Sequence, residues 1–330
     1  MNPPPPAPRR SINLLDALER PTEWIIRLCG WSSIIGVVAI FLFVFKEAAP
    51  IVPRLDWVQF FTSSRWIPAP GTGNAPSFGA LALLVGTFTT TFLALVIAVP
   101  VGLGAAVYIS EFAQGKVKET LKVLVEMLAA IPSIVWGFIG LMVLGPVLRN
   151  IFSAEAGSWW GKTMVFLHLA SSETGAAQGT NLLTGSIILA LMSVPLIVSL
   201  SEDALRAVPD SFREAALALG ANPWETVVRV LFPAARNGLL AACMLGMGRA
   251  IGETMAVLLA AGHSNRIPTV LTDPVRTMTA TIAAEMGETA QGSDHYRVLF
   301  VLGVVLFVIT CGINVASDFI VKGVKKQTQA

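Results

Sequence analysis

Charge is what this chain of 330 residues has least of: Asp, Glu, Lys and Arg together make up 13% of it, against about a quarter in a soluble globular protein. With 54% hydrophobic residues and a mean hydropathy of +0.68, that shortage excludes an ordinary soluble domain. It indicates a polytopic membrane protein, whose apolar surface must face lipid as well as its own interior. Cysteine is scarce too. Cys29, Cys243 and Cys311 all lie in apolar runs with no paired spacing, which argues against a disulfide framework or a zinc site. His168, His263 and His295 are too scattered to form a ligand pattern, and a net charge of +2 gives no nucleic-acid footprint. A nucleotide-binding loop is missing as well. Gly161-Lys162-Thr163 ends like one, but the glycine required five positions before Gly161 is Ala156. Trp159 and Trp160 beside it read as an interfacial belt.

Residues 1–22, MNPPPPAPRRSINLLDALERPT, are too long and polar for a cleaved signal peptide, and no small-residue cleavage site follows the first apolar run. The first span is therefore expected to stay as an anchor. Within this leader Ile12, Leu15 and Leu18/Glu19 fall at helical spacing behind Ser11, which predicts an amphipathic helix on the membrane surface.

Apolar runs fill the rest. A bilayer core needs roughly 20 residues of helix, and six segments qualify: 23–45, 80–109, 121–147, 181–201, 237–262 and 297–321. The second and third are long enough to tilt, kink or extend into water. Pro100, Pro132 and Pro195 lie inside spans two to four, where neighbouring helices can satisfy the freed carbonyls. Of the 23 basic residues, 14 fall in one alternate set of segments (1–22 with Arg27, 110–122, 202–236, 322–330) and 8 in the opposite set. The positive-inside bias then puts both termini in the cytoplasm. The expected organisation is a leader at 1–22, a membrane domain at 23–321 and a tail at 322–330.

Two stretches carry chemistry. The first, 203–236, reads as a cytoplasmic helical hairpin between spans four and five. Pro209-Asp210-Ser211 starts a helix, Gly220 stops it, Asn222-Pro223 turns the chain, and Pro233 is expected to end a second helix. The second is GRAIGETMAV, 248–257, which sets Arg249 and Glu253 in an otherwise apolar run. Counted from Asn237, Arg249 lies about 18 Å along a helix, near mid-membrane. A central arginine costs about 2.5–3.5 kcal/mol on insertion scales, and an exposed i,i+4 pair returns only about 0.2–0.5 kcal/mol. The local pair cannot justify the charge, whereas a polar cavity can.

Glu214-Ala215-Ala216, Gly220 and Val230-Leu231-Phe232-Pro233 resemble, in residue type and spacing, the EAA loop of bacterial ABC importer permeases. LVEMLAAIPSIVWGF (124–138), GTFTTTFLALVIAVPVGLGAAVYISE (86–111), GRAIGETMAV and RTMTATIAAEMGE (276–288) are similar to the phosphate branch of that family, the PstC type. Met255-Ala256-Val257 and the RTMT stretch favour it over the sister PstA type, which usually continues RAIGET with Ala-Pro and stays the alternative within that branch. The resemblance covers about 78–321. It implies an all-α polytopic membrane protein with six transmembrane helices in the type I ABC importer permease fold. It also implies a role as the non-catalytic membrane subunit of an inorganic phosphate importer in the bacterial inner membrane. The partners it implies are a PstA-like permease, two PstB-like ATPases, a PstS-like binding protein and a PhoU-type regulator. This chain would bind no cofactor, ATP and Mg²⁺ belonging to the ATPases.

On that resemblance Arg213, Glu214, Ala215, Ala216, Gly220 and Pro233 form the coupling element. Arg213 and Glu214 would offer polar docking contacts, while Gly220 permits the bend. Arg249 would contact the passing anion, because its fork matches two phosphate oxygens. Glu253, one turn above, would hold the guanidinium between passages, so that the anion never binds too tightly to leave. Thr254 and Ser133 are further path candidates, Ser133 beside the helix-breaking Pro132 with core packing as its competing reading. The competing reading is a salt bridge fixing subunit packing, and Gly246, Gly248 and Gly252 offer the small-residue spacing for such a contact. Arg54, Arg65, Arg266, Arg276 and Arg297 read by default as solvated loop charges, the competing reading being that they draw an anion in or receive a binding protein. Another oxyanion remains open as cargo. A secondary transporter is disfavoured by the hairpin, and a membrane enzyme by the lack of a catalytic constellation.

Overall fold

The computed structural model describes residues 14–68, 75–152, 163 and 179–327. In chain order its helices begin with α1 (Leu14–Ala48), α2 (Trp57–Thr62), α3 (Leu81–Val107), α4 (Gly115–Ala129), α5 (Ser133–Ile139) and α6 (Gly145–Phe152). They continue with α7 (Leu182–Arg206), α8 (Asp210–Ala218), α9 (Pro223–Thr226), α10 (Phe232–Ile251), α11 (Met255–Ala260), α12 (Met278–Glu285) and α13 (Asp294–Gln327). Single π-helical turns at Tyr108–Phe112, Gly140–Leu144 and Val227–Leu231 extend or join them. The one sheet among the described residues is an antiparallel pair, β1 (Trp66–Ile67) with β2 (Ser77–Phe78), in which Trp66 faces Phe78.

Six segments are long and apolar enough to cross a membrane: Pro21–Ala48, Leu81–Phe112, Ser133–Phe152, Leu182–Arg206, Pro223–Ile251 and Asp294–Phe319. The number agrees with the sequence reading, while two of the spans are bounded differently. The third span does not begin at 121. Pro132 disfavours helical geometry at Ile131, so α4 ends before it as a separate helix with no buried residue, and the span starts at Ser133. The fifth span does not run 237–262 either, but from Pro223 to Ile251, with α11 following a break.

Pro233 does not end the hairpin's second helix. The chain widens into the π turn at Val227–Leu231, and the Phe232 N–H reaches the Val227 carbonyl five residues back. Proline then sits in the first turn of α10, where a missing N–H costs little. The hairpin and fifth span are therefore one helical rod. Residues 14–19, expected as a separate surface helix, are likewise the first turns of α1, which runs on through Pro21. Residues 1–13 and the 157–162 stretch lie outside the described residues.

The centre is α3 packed on α7. Ala94, Ala98, Ala190 and Ile197 are wholly buried, and a Cβ on Gly102 would meet Ile197 at 2.7 Å. Small residues bring the two backbones close, as membrane packing requires. Thr87, Thr90 and Ser193 return their hydroxyls to carbonyls of their own helices, and Ser186 donates to the Thr90 carbonyl across the interface. By contrast α1 is bare: Trp24, Ile25, Leu28, Trp31 and Leu42 are exposed. It meets the body through the edge-on pairs Phe41–Phe307 and Phe43–Phe300 on α13. An all-round apolar surface of this kind fits a helix whose solvent is lipid.

Candidate coupling hairpin and substrate path

The hairpin closes as its residues dictate. Gly220 has φ +82°. The Gly220 N–H bonds the Leu217 carbonyl and the Ala221 N–H the Ala216 carbonyl, the Schellman pair that ends a helix. Asn222 and Glu225 then form a reciprocal capping box that starts α9. Leu219 at the bend is 90% exposed, and Phe212, Leu217 and Trp224 beside it are exposed as well. The sequence reading, centred on charge and small residues, overlooked this apolar tip.

Glu214 and Ala215 face outward, whereas Ala216 is buried. Arg213 also differs from expectation. Its guanidinium donates to both Glu111 carboxylate oxygens (3.0 and 2.9 Å), to the Leu205 and Val208 carbonyls and to Asp210. With its donors directed to its own chain, Arg213 braces the hairpin against the end of the second span instead of offering a free docking contact. Nearby, the buried Glu202 carboxylate meets Lys122 at 2.8 Å and Arg206 at 3.5 Å, tying α4 to α7.

GRAIGETMAV is not one continuous helix. Arg249 lies in the last turn of α10, exposed, and residues 252–254 interrupt the helix before α11. A cation in a final turn faces the negative end of the helix dipole, worth about 0.3–1 kcal/mol. Glu253 is therefore not one turn above Arg249 on the same helix. Its carboxylate accepts from the Ala256 N–H at 3.4 Å, and among the described residues no ion pair joins it to Arg249. Thr254, half-buried, donates to the Gly252 carbonyl.

Ser133, also half-buried, opens α5. That helix lies on α11, where a Cβ on Gly137 would sit 2.8 Å from Leu259 and 3.1 Å from Ala256. Ser133 shares the Gly137 face one turn earlier. The structure thus gathers Arg249, Glu253 and Thr254 at one interruption and puts Ser133 on the helix packed beside it. The glycines divide. Gly246 packs on Ile197 inside the chain, whereas Gly248 and Gly252 meet no neighbouring element among the described residues.

On the side opposite the hairpin, Arg276 is not a solvated loop charge. It is 6% exposed, ion-paired with Glu285 and donates to Asn265 at 2.8 Å. Glu285 also accepts from the Trp66 indole at 2.9 Å and bonds the His295 ring at 2.7 Å. Burial alone would raise the Glu285 carboxyl. The Trp66 and His295 bonds and the Arg276 charge outweigh it and hold the group below the usual carboxylate value. His263, at φ +54°, is pushed down to about 4 by burial and by Arg276, against a smaller opposing effect of Glu285. Nothing in the spacing of Trp66, Asn265, Arg276, Glu285 and His295 announces this cluster. Glu111 had a weak signal, as an acid closing a long apolar run.

Six helical spans, a helical hairpin between the fourth and fifth, and an interrupted segment after the fifth make up the fold of a type I ABC importer permease. The bacterial alginate ABC transporter, crystallised with its alginate-bound periplasmic protein, has a chain of the same fold, with TM-score 0.56 at 15% identity over 92% of this chain and 95% of that one. The chain belongs to the binding-protein-dependent transport system inner membrane component family, whose model matches residues 98–328. It is 35% identical to the probable ABC transporter permease YqgH of Bacillus subtilis (strain 168), covering 87% of this chain and 85% of that protein. It is 37% identical to the phosphate transport system permease PstC of Mesorhizobium japonicum, covering 82% and 80% respectively. Membership makes it a multi-pass membrane subunit that acts with a binding protein and an ATPase.

Proposed function

We propose that the chain is a non-catalytic membrane subunit of an ATP-driven importer of inorganic phosphate, lining half of its path. The observation that carries this is Arg249: an exposed guanidinium at a helix break, with no ion pair among the described residues, in a chain similar to permeases named for phosphate. Its planar fork takes two oxygens of a tetrahedral oxyanion at once. Thr254 adds a hydroxyl at the same interruption and Ser133 another on the helix packed against α11, while the Glu253 carboxylate at the break keeps the local positive charge from holding the anion too tightly.

The partners are a PstA-like permease completing the path, two PstB-like ATPases, a PstS-like phosphate-binding protein and a PhoU-type regulator. The hairpin is cytoplasmic and so are both termini, supported by the 14 basic residues in that set of segments. Glu214, Ala215 and the exposed Phe212, Leu217, Leu219 and Trp224 meet the ATPase, while Gly220 and Pro233 shape the rod that carries its motion to Arg249. This subunit binds no cofactor, since ATP and Mg²⁺ are held by the ATPases.

The test is ATP-dependent uptake by the reconstituted complex, offering phosphate, sulfate and arsenate. Saturable phosphate uptake supports the reading, and saturable sulfate uptake without phosphate uptake overturns the cargo assignment. Uptake driven by an ion gradient without the ATPase would make the chain a secondary transporter.

A further inference from the structure

Residues 276–279 are each fastened to a different part of the molecule. The Arg276 side chain enters the cluster of Glu285 and Asn265, and its carbonyl presses on α3, where a Cβ on Gly86 would sit 2.3 Å away. Thr277 caps α12, accepting from the Ala280 N–H. The Met278 N–H donates to the Thr87 hydroxyl of α3 at 3.0 Å, and its side chain is wholly buried. Thr279 donates its hydroxyl to the Glu253 carbonyl at 2.7 Å. Thr277 and Thr279 are themselves buried, with their hydroxyls 3.2 Å apart.

Thr279 therefore grips the interruption that carries Glu253. Backbone groups at a helix break lack the helix's own partners, and burial of Thr279 leaves little room for water to substitute. We propose that Thr279 is a positioning residue of the anion path: by holding the Glu253 carbonyl, it fixes the break at 252–254 to a strap anchored on α3 and on the cluster of Arg276 and Glu285. The strap joins the far-side cluster to the break through its own backbone, hydrogen-bonded to the cluster at Arg276 and to the break at Thr279. This inference rests on the path reading of Arg249 and Glu253.

The test uses the assembled complex with Cys29, Cys243 and Cys311 replaced by Ala and Thr254→Cys as reporter. Thr279→Val removes the donor at nearly the same size, while Thr279→Ser keeps it. Thr279→Val is expected to change the rate at which a small hydrophilic thiol reagent labels the reporter about 5–10-fold, the scale of one hydrogen bond, with Thr279→Ser within about 2-fold. On the native Thr254 background, the Val variant should lower the kcat of phosphate uptake by a similar factor, with Ser restoring it. Unchanged labelling in Thr279→Val overturns the proposal, as does equal change in the Val and Ser variants. If Thr279→Val does not assemble, Thr279→Ala carries the same readout, and loss of assembly in both makes Thr279 a folding residue and overturns it too. Labelling needs no transport, so a wild-type complex that moves no phosphate would sink the cargo assignment while still deciding Thr279.

Discussion

Glu111 and Arg213, 102 residues apart in the chain, meet through two hydrogen bonds of 3.0 and 2.9 Å at the foot of the hairpin. Their side chains are only 13% and 20% exposed, so deleting one strands a largely buried charge. Arg213→Ala is expected to destabilise the protein by about 1–3 kcal/mol, between the values for exposed and for buried pairs. Arg213→Lys should recover less than half, because an ammonium cannot reproduce the two-pronged contact. Thermal unfolding of the purified complex measures both, and equal stability of wild type and Arg213→Ala would remove the brace.

Gly220 at φ +82° takes a backbone shape that a side chain opposes by about 1–2 kcal/mol. Gly220→Ala should misplace the exposed tip at Leu219 and lower uptake per ATP hydrolysed, whereas Gly220→Asn, which tolerates this region, should retain most coupling. The ratio of phosphate uptake to ATP hydrolysis is the measurement. Indistinguishable Ala and Gly ratios would argue that the bend does not set the docking geometry.

Arg249→Ala is expected to raise the KM for phosphate about 10-fold or more, and Arg249→Lys to recover it only in part, since the fork and not the charge alone is recognised. Glu253→Gln should instead slow release and lower kcat. Normal transport by both Arg249 variants in an intact complex would leave Arg249 a structural residue.

Acidification should loosen the side opposite the hairpin. The His263 pKa lies at about 4 in the fold against about 6.5 unfolded, so the unfolded chain binds the extra proton between those values. Its contribution is fully present above about pH 6.5 and is lost as pH falls through about 4. Glu285, also held below its usual value, loses its contribution as pH falls below the ordinary carboxylate range. Hydrogen-exchange protection across 263–297, corrected for the intrinsic rate at each pH, should fall between about pH 6.5 and 4. His263→Asn, a residue that tolerates φ +54°, should flatten that change. A profile identical in the variant would assign the acid response elsewhere.

The six spans were legible because apolar run length maps directly onto bilayer thickness. The bend at Gly220 was legible too, since glycine ahead of Asn-Pro is local chemistry. Pro132 and Pro233 show where such reading fails. Both are prolines in apolar surroundings, yet one separates two helices and the other is absorbed by a π turn. The difference lies in the neighbouring backbone and not in the proline. GRAIGETMAV stood out in the sequence for its two charges, but its geometry misled, because a glycine before two polar residues permits a break without requiring one.

Composition alone decided that this chain lives in a membrane, and about how often it crosses, because transfer of apolar residues into lipid depends on their number and spacing. It also marked Arg249 and Glu253 as charges in need of an explanation. Which charges find partners was settled only by folding. Arg213 meets Glu111, Arg276 meets Glu285, and Arg249 stands exposed beside a break whose carbonyl Thr279 holds. Ion pairs and hydrogen bonds act over a few ångströms, and only the tertiary fold brings residues distant in the chain within that reach.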